Sequence, residues 1–307
     1  MKSFKAYKNV NETMASQILA CESTHDIDIT TALEQNTTKG QDQTFCGITP
    51  SKKQYFGVWD GHGTNSVIQE LRKIQQTGKL DIFMDNSSPV CAINDELLVS
   101  RVCAETECSG STMCYGMVDG NKLTITNCGD SRMFVFRNGE LIFASDEHYF
   151  GNPKEKARLD NKIHYQLSTS IKVVAEKEML GIYSEYVCMK NGTSLATTQA
   201  LGHCNYAEPA PDVTEFTVEL TDEIVAVAVT DGITDVLIQD AENNIRPDEI
   251  RMIYELSAEE LKDKIQARWL QEWNMTDMKG QVYPLSRYTK DQCDDIAVAR
   301  LVMRPKL

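Results

Sequence analysis

The apolar positions of this chain gather into short runs bounded by turn residues, the pattern of buried strands, with helical periodicity confined to the stretches between them. Tyr55-Phe56-Gly57-Val58-Trp59 runs into Asp60-Gly61-His62-Gly63, and Ile224–Val229 runs into Thr230-Asp231-Gly232. Residues 43–48 predict a strand that Pro50-Ser51-Lys52 turns back against the one ending at Asp60. Antiparallel pairing across so short a loop brings the start of the first strand and the end of the second to one edge, with Asp42 beside Asp60. Residues 113–118 and 122–126 flank Asp119-Gly120, and 133–136 and 141–143 flank Asn138-Gly139, which predicts two hairpins. A further strand covers 213–220, and a last one covers 296–302 after Asp294-Asp295. Val67, Ile68, Leu71 and Ile74 recur at helical spacing up to Gly78, and weaker helical patterns cover 14–20, 94–105 and 155–158. Ser257-Ala258-Glu259-Glu260 is a capping box, followed by Leu261, Ile265, Trp269 and Trp273 at four-residue steps. Consecutive antiparallel strands exclude a doubly wound parallel sheet and point to an α+β architecture.

Composition narrows the class. A chain of 307 residues, 41% hydrophobic and 25% charged, can bury a substantial core. No linker, repeat or low-complexity segment interrupts it, so the expectation is one domain over 1–307, with 1–35 an N-terminal extension and 149–199 an irregular flap or insertion. No run approaches the ~20 apolar residues of a membrane span, and no signal peptide is evident. The ten cysteines form no C-x-x-C pair and are expected as thiols in an intracellular, cytoplasmic protein. A formal charge of −14 argues against a nucleic-acid partner, and a monomer is expected.

Four aspartates sit at strand ends: Asp42, Asp60, Asp231 and Asp294. If those ends share an edge, the carboxylates converge and repel unless cations intervene. Oxygen-only ligation selects Mg²⁺ or Mn²⁺. Two such ions suit water attack on phosphorus, with His62 beside them to protonate the leaving alkoxide. The plainer alternative is that each aspartate is a turn residue and His62 a structural histidine. A cysteine-based phosphatase site, a His-rich dinuclear centre and a G-x-x-x-x-G-K-[ST] loop are all missing from the sequence.

Several ordered motifs resemble the Mg²⁺/Mn²⁺-dependent Ser/Thr protein phosphatases of type 2C. They are Phe56-Gly57-Val58-Trp59-Asp60-Gly61-His62-Gly63, Ser109-Gly110-Ser111-Thr112, Asn127-Cys128-Gly129-Asp130-Ser131-Arg132, Asp146-Glu147-His148, Ala200-Leu201-Gly202, Thr230-Asp231-Gly232-Ile233-Thr234-Asp235-Val236 and Asp294-Asp295-Ile296. The resemblance covers about residues 36–303. It implies a central β-sandwich of two antiparallel sheets flanked by helices, and a phosphoprotein substrate. It implies that Asp60 bridges two ions, that the Gly61 carbonyl binds one, that Asp231 and Asp294 hold the other, and that Asp42 holds it through water. His62 matches the general acid, and Asp130, Asp231 and Asp235 match the ligands of a weaker third ion. Departures are Thr37 in place of a phosphate-binding arginine, with Lys39 the nearest cation, Asp295 in place of an asparagine, and Gln199 and His203 at two positions charged in the family. These departures motivate a rival reading, a phosphatase-like protein that binds a partner without turnover. A hydrolase of small phosphoesters or nucleotides is a third.

Overall fold

The computed structural model describes residues 25–38, 40–99, 109–159, 166–169, 174–175, 179–180, 185–188, 194–203, 207–240, 242, 244–276, 282–284 and 287–306. The expected helix over 14–20, Lys39 and most of 160–193 lie outside them. Two antiparallel sheets carry the fold. The first has the order β1 (His25–Glu34), β12 (Ile296–Pro305), β11 (Ile224–Val229), β7 (Arg132–Arg137), β8 (Glu140–Ala144). The second runs β9 (Leu201–Gly202), β4 (Ser109–Ser111), β3 (Gln54–Gly63), β5 (Met113–Asp119), β6 (Lys122–Cys128), β10 (Asp212–Thr217), and β2 (Asp42–Ile48) pairs with β3. Helices α1 (Ser66–Gln76), α2 (Lys79–Met84) and α3 (Pro89–Val99) belong to the second sheet's side. Helix α4 (Pro153–Leu159) follows β8, and α5 (Pro247–Glu255) and α6 (Ala258–Trp269) cover the first sheet.

The alternation along each strand explains the layers. On β11, Ile224, Ala226 and Ala228 face the second sheet, whereas Val225, Val227 and Val229 pack under α5 and α6. Every one of these residues is buried, because both faces of the strand are covered; this is why its sequence reads as a continuous apolar run. On β3, Phe56 and Val58 point between the sheets while Tyr55 and Trp59 pack under α1. Side chains alternate along a strand, so the inward row continues 56, 58, 60, and Asp60 emerges at the end of the space between the two sheets. The α-β-β-α order of layers is the sandwich expected from the sequence.

Both predicted hairpins are present, with Asp119 opposite Lys122 and Arg137 opposite Glu140. The strand read as ending at Asp60 continues to Gly63, because β4 takes over from β5 as its partner there. Gly78 closes the first helix as expected, following the C-cap Thr77 in the left-handed region at φ 73° before α2 begins. Two sequence assignments are corrected. The helix predicted over 94–105 begins earlier, at Pro89, and its described part stops at Val99. The stretch before residue 36 is not wholly an extension, since β1 pairs with β12 from His25↔Pro305 to Glu34↔Ile296 and forms an edge of the first sheet. No helix among the described residues is long and apolar enough to cross a membrane.

The capping box at α6 forms as predicted: Ser257 accepts from the Glu260 backbone N–H and Glu260 accepts from the Ser257 N–H. Ser257→Ala is expected to cost about 1 kcal/mol of stability in urea denaturation, with divalent-ion binding unchanged because the capping box lies at the opposite end of α6 from Gln266 and Trp269, which bond to Asn36 and the Gly232 carbonyl at the acidic end.

Candidate metal centre

One end of the sandwich collects the acidic residues, and the strand pairings put them there. Asp42 and Asp60 stand directly opposite each other in the β2–β3 pair, the register the short loop predicts. From the other sheet, β11 ends at Val229 and is followed by Thr230, whose hydroxyl donates to Asp42 Oδ2 at 2.7 Å. The same hydroxyl oxygen accepts from the Ala297 N–H at 3.0 Å on β12. Thr230 therefore ties β11, β12 and the start of β2 together across the gap between the sheets. Asp231 follows at the head of the four-residue helical turn Asp231–Thr234, and Asp235 closes that turn on the Asp231 carbonyl. Gly232 is required here: a Cβ on it would overlap the Asp295 carbonyl oxygen, so only glycine lets the turn pass the start of β12.

The two adjacent aspartates before β12 have different surroundings. Asp295 is buried, and its carboxylate accepts from the N–H groups of Asn36 and Thr37 at 2.8 Å each, from Gln41 N–H at 2.7 Å, and from the Thr37 hydroxyl at 3.1 Å. Asp295 thus clamps the loop that leads into Asp42. This gives Thr37, which stands where the family resemblance expects an arginine, a structural task. Arg72 on α1 supports the same loop, donating to the Gly40 carbonyl at 2.6 Å and the Asp42 carbonyl at 3.1 Å. Asp294 is half-buried and accepts from the Asp295 N–H at 2.9 Å. An open pocket of about 270 Å³ is lined by Asp42, Asp60, Asp291, Asp294 and Asp295, completed by Thr37, Thr38, Gln41 and Gly61. Among the described residues its lining contains no cationic side chain.

The electrostatics follow from this crowding. Burial, then repulsion from Asp231, Asp42, Asp130 and Asp294, holds Asp60 well above the usual carboxylate range. Asp42 is raised by burial despite the Thr230 hydrogen bond, and Asp235 by burial and the neighbouring Asp231. Burial and Glu147 push Asp130 up to about 7; burial and Asp231 push Asp294 to about 7; burial and Asp130 push Asp231 to about 6, although a hydrogen bond shared with Asp60 opposes this. The six aspartates singled out in the sequence therefore act on one another in the fold. Glu147, half-buried and raised in turn by burial, joins them through Asp130, Asp231 and Asp235. The Asp146-Glu147-His148 string marked Glu147 in the sequence, but nothing local showed that it faces this cluster.

Among the described residues, no three His, Cys, Asp or Glu side chains already surround a point that could hold an ion. Two of the carboxyl groups already have protein partners: Asp42 the Thr230 hydroxyl and Asp294 the Asp295 N–H. The donor set nonetheless fits a hard divalent cation, since it offers only oxygen and carries a repulsion that a cation would remove. His62, next to Gly61, is not among the lining residues of the pocket. Burial, and then His203 beside it, push its pKa down to about 3. Gln199, the other departure, is buried, donating to Glu155 at 2.8 Å and accepting from the Ala210 N–H.

The fold and the site define a four-layer α-β-β-α protein with an all-oxygen acidic centre at one end of its sandwich. A family model, "Protein phosphatase 2C", matches residues 30–270, and the chain belongs to that family. Protein phosphatase 1B of Homo sapiens is 32% identical over 130 residues, 42% of this chain and 25% of that protein. Protein phosphatase 2C 3 of Arabidopsis thaliana is 23% identical over 246 residues, 72% of this chain and 50% of the relative. The chain thus spans a quarter to a half of the length of these curated relatives. Serine-threonine phosphatase 2C from Toxoplasma gondii superposes with a TM-score of 0.54 at 14% identity, over 91% of this chain and 95% of that one. The Mycobacterium tuberculosis serine/threonine phosphatase PstP/Ppp does so at 0.52 and 14%, over 91% and 99%. At these identities the structural likeness is one of fold.

Two outcomes are expected. The raised carboxyl pKa values stabilise the ion-free fold through bound protons, fully below the ordinary value of 3.8, and that stability is lost as pH rises through about 6 to 7. The melting temperature of the ion-free protein should fall between pH 5 and 8, and Mn²⁺ should restore more of it at pH 8 than at pH 5; a flat profile in calorimetry contradicts the clustering. Asp295→Ala removes the acceptor of four donors and should cost about 3 kcal/mol in urea unfolding, with Mn²⁺ affinity by calorimetric titration falling roughly tenfold as the Asp42 loop loosens.

Proposed function

We propose that this chain is a metal-dependent phosphatase of phosphoserine and phosphothreonine in proteins. The observation that carries the reading is the convergence of buried, mutually repelling aspartates from both sheets on one open pocket. Two Mg²⁺ or Mn²⁺ ions, held by Asp42, Asp60, the Gly61 carbonyl, Asp231 and Asp294, would neutralise the phosphoryl charge and activate the attacking water. Asp130 and Asp235 would serve a weaker third ion, with Glu147 at hand to share its charge.

The chain's own part is positioning. Asp60 is fixed on β3 by its strand partners, and its N–H donates to the Thr112 hydroxyl at 3.2 Å. Asp42 is fixed by Thr230 and, through the loop before it, by Asp295. His62 follows Gly61 on the same strand and would give its proton to the leaving seryl oxygen. Burial keeps the ring neutral without substrate; the negative phosphoryl charge beside it would favour uptake of a second proton from solvent, and it is this imidazolium proton that would pass to the leaving oxygen, leaving the ring neutral again. With no cation among the described lining residues, phosphate binding would rest chiefly on the ions; Lys39 remains the proposed protein contact. The same reading takes the chain as one catalytic domain, monomeric and cytoplasmic.

The test is phosphate release from p-nitrophenyl phosphate with and without Mn²⁺. Wild type should be Mn²⁺-dependent, and Asp60→Asn should lose at least about 100-fold in kcat. Equal rates for wild type and Asp60→Asn would favour the rival reading, a phosphatase-like protein that binds without turnover.

A further inference from the structure

His203 has no role in the chemistry described so far, yet its setting is unusual. It follows Gly202, and the two residues have φ of +49° and +82°, so a histidine is held in backbone that glycine ordinarily occupies. Its ring runs nearly parallel to that of His62 and offset from it, with centroids 4.7 Å apart and planes 9° from parallel. Its Nε2 is 2.9 Å from His62 Nδ1. The loop that carries it is anchored to α3, where Asn94 Oδ1 accepts the Gly202 N–H at 2.9 Å. The pair fits because residue 110 is glycine: a Cβ there would overlap His203 Nε2 and come within 2.7 Å of His62 Cε1. The other ring nitrogen of His62, Nε2, is buried and has no hydrogen-bond partner.

An imidazole has two nitrogens, and the bond made by one fixes what the other can do. We propose that His203 is a positioning residue for His62: by engaging Nδ1 it holds the ring in one orientation and leaves Nε2 as the nitrogen that protonates the leaving group. The inference rests on the phosphatase reading above. In the step concerned, the P–O bond breaks and its electron pair stays on the seryl oxygen. The ring acts as the imidazolium, having taken a second proton from solvent, with Nδ1–H donating to His203 Nε2. The leaving oxygen takes the proton from Nε2, the N–H electron pair remains on Nε2, and the ring is left neutral until solvent reprotonates it. Throughout, Nδ1 keeps its contact with His203, so the ring cannot turn over and present the wrong nitrogen.

The test compares two substrates of the Mn²⁺-loaded full chain. A phosphoserine peptide needs a proton on its leaving oxygen; p-nitrophenyl phosphate, whose leaving group departs as a stable anion, needs far less help. His203→Gly suits the left-handed backbone and removes the ring. Its kcat on the peptide should fall about tenfold further than on the aryl phosphate, with KM little changed. His203→Gln, which keeps a polar atom within reach of Nδ1, should recover most of that difference. An equal loss on both substrates, or no loss on the peptide, overturns the proposal. A second readout is independent of turnover: in ¹⁵N spectra of the ion-free protein, the His62 ring signals, assigned by their absence in His62→Asn, should shift in His203→Gly. Unshifted signals overturn the pairing itself. A wild type inert on both substrates overturns the phosphatase reading and His203's part in it, while the ring shifts still decide whether the pair exists.

Discussion

Holding like charges together is the constraint that everything else in this molecule serves. Carboxyl groups from β2, β3, the β11 exit and the β12 entry are close enough to raise one another's proton affinity. Left to themselves they would separate, so the framework must be stiffer than their repulsion. Stiffness comes from the two sheets, packed through Phe56, Val58, Ile224, Leu301 and a row of alanines, Ala226, Ala228, Ala297 and Ala299. Small side chains on that inner face let the sheets approach closely. Thr230 then joins them at the acidic end with one hydroxyl that serves Asp42 and Ala297 together. A threonine suits this position because its hydroxyl can donate and accept at once.

Much of this was legible in the sequence, and what was legible was local. The Asp42–Asp60 pairing was inferred from the short loop between the two strands, and it appears in that register. The buried strand over Ile224–Val229 was marked by its apolar run, and the α6 start by its capping box. The family motifs carried the rest of the architecture. Strand β1 was missed because its outward positions carry Asp26 and Asp28 and its centre carries Thr30 and Thr31, so its apolar alternation through Ile27, Ile29 and Leu33 was diluted. It becomes a strand by pairing with β12, at the far end of the chain.

The site contacts that escaped the sequence share that origin. His62 and His203 are 141 positions apart, and Asn36 and Asp295 are 259 apart. No periodicity or spacing rule reaches across such distances, because nothing in either neighbourhood depends on the other until the sheets close. The departures at Thr37 and His203 looked like losses when compared with the family pattern. In the fold each has a partner, Asp295 for one and His62 for the other.

Asp294 and Asp295 show how identical side chains acquire different chemistry. Asp295 is surrounded by donors from the loop before β2, and each N–H or O–H it accepts satisfies an oxygen that an ion would otherwise claim. Asp294 has one backbone donor and faces the pocket together with Asp60. Burial and the proximity of Asp231 push its pKa up to about 7, a shift that a divalent cation would reverse by favouring the charged form. The sequence reading takes Asp294 as the ligand, with the adjacent Asp295 as its rival, since either register satisfies the spacing. In the fold it is Asp295 that meets the N–H groups of residues 36–41, while Asp294 keeps one backbone donor and lines the pocket.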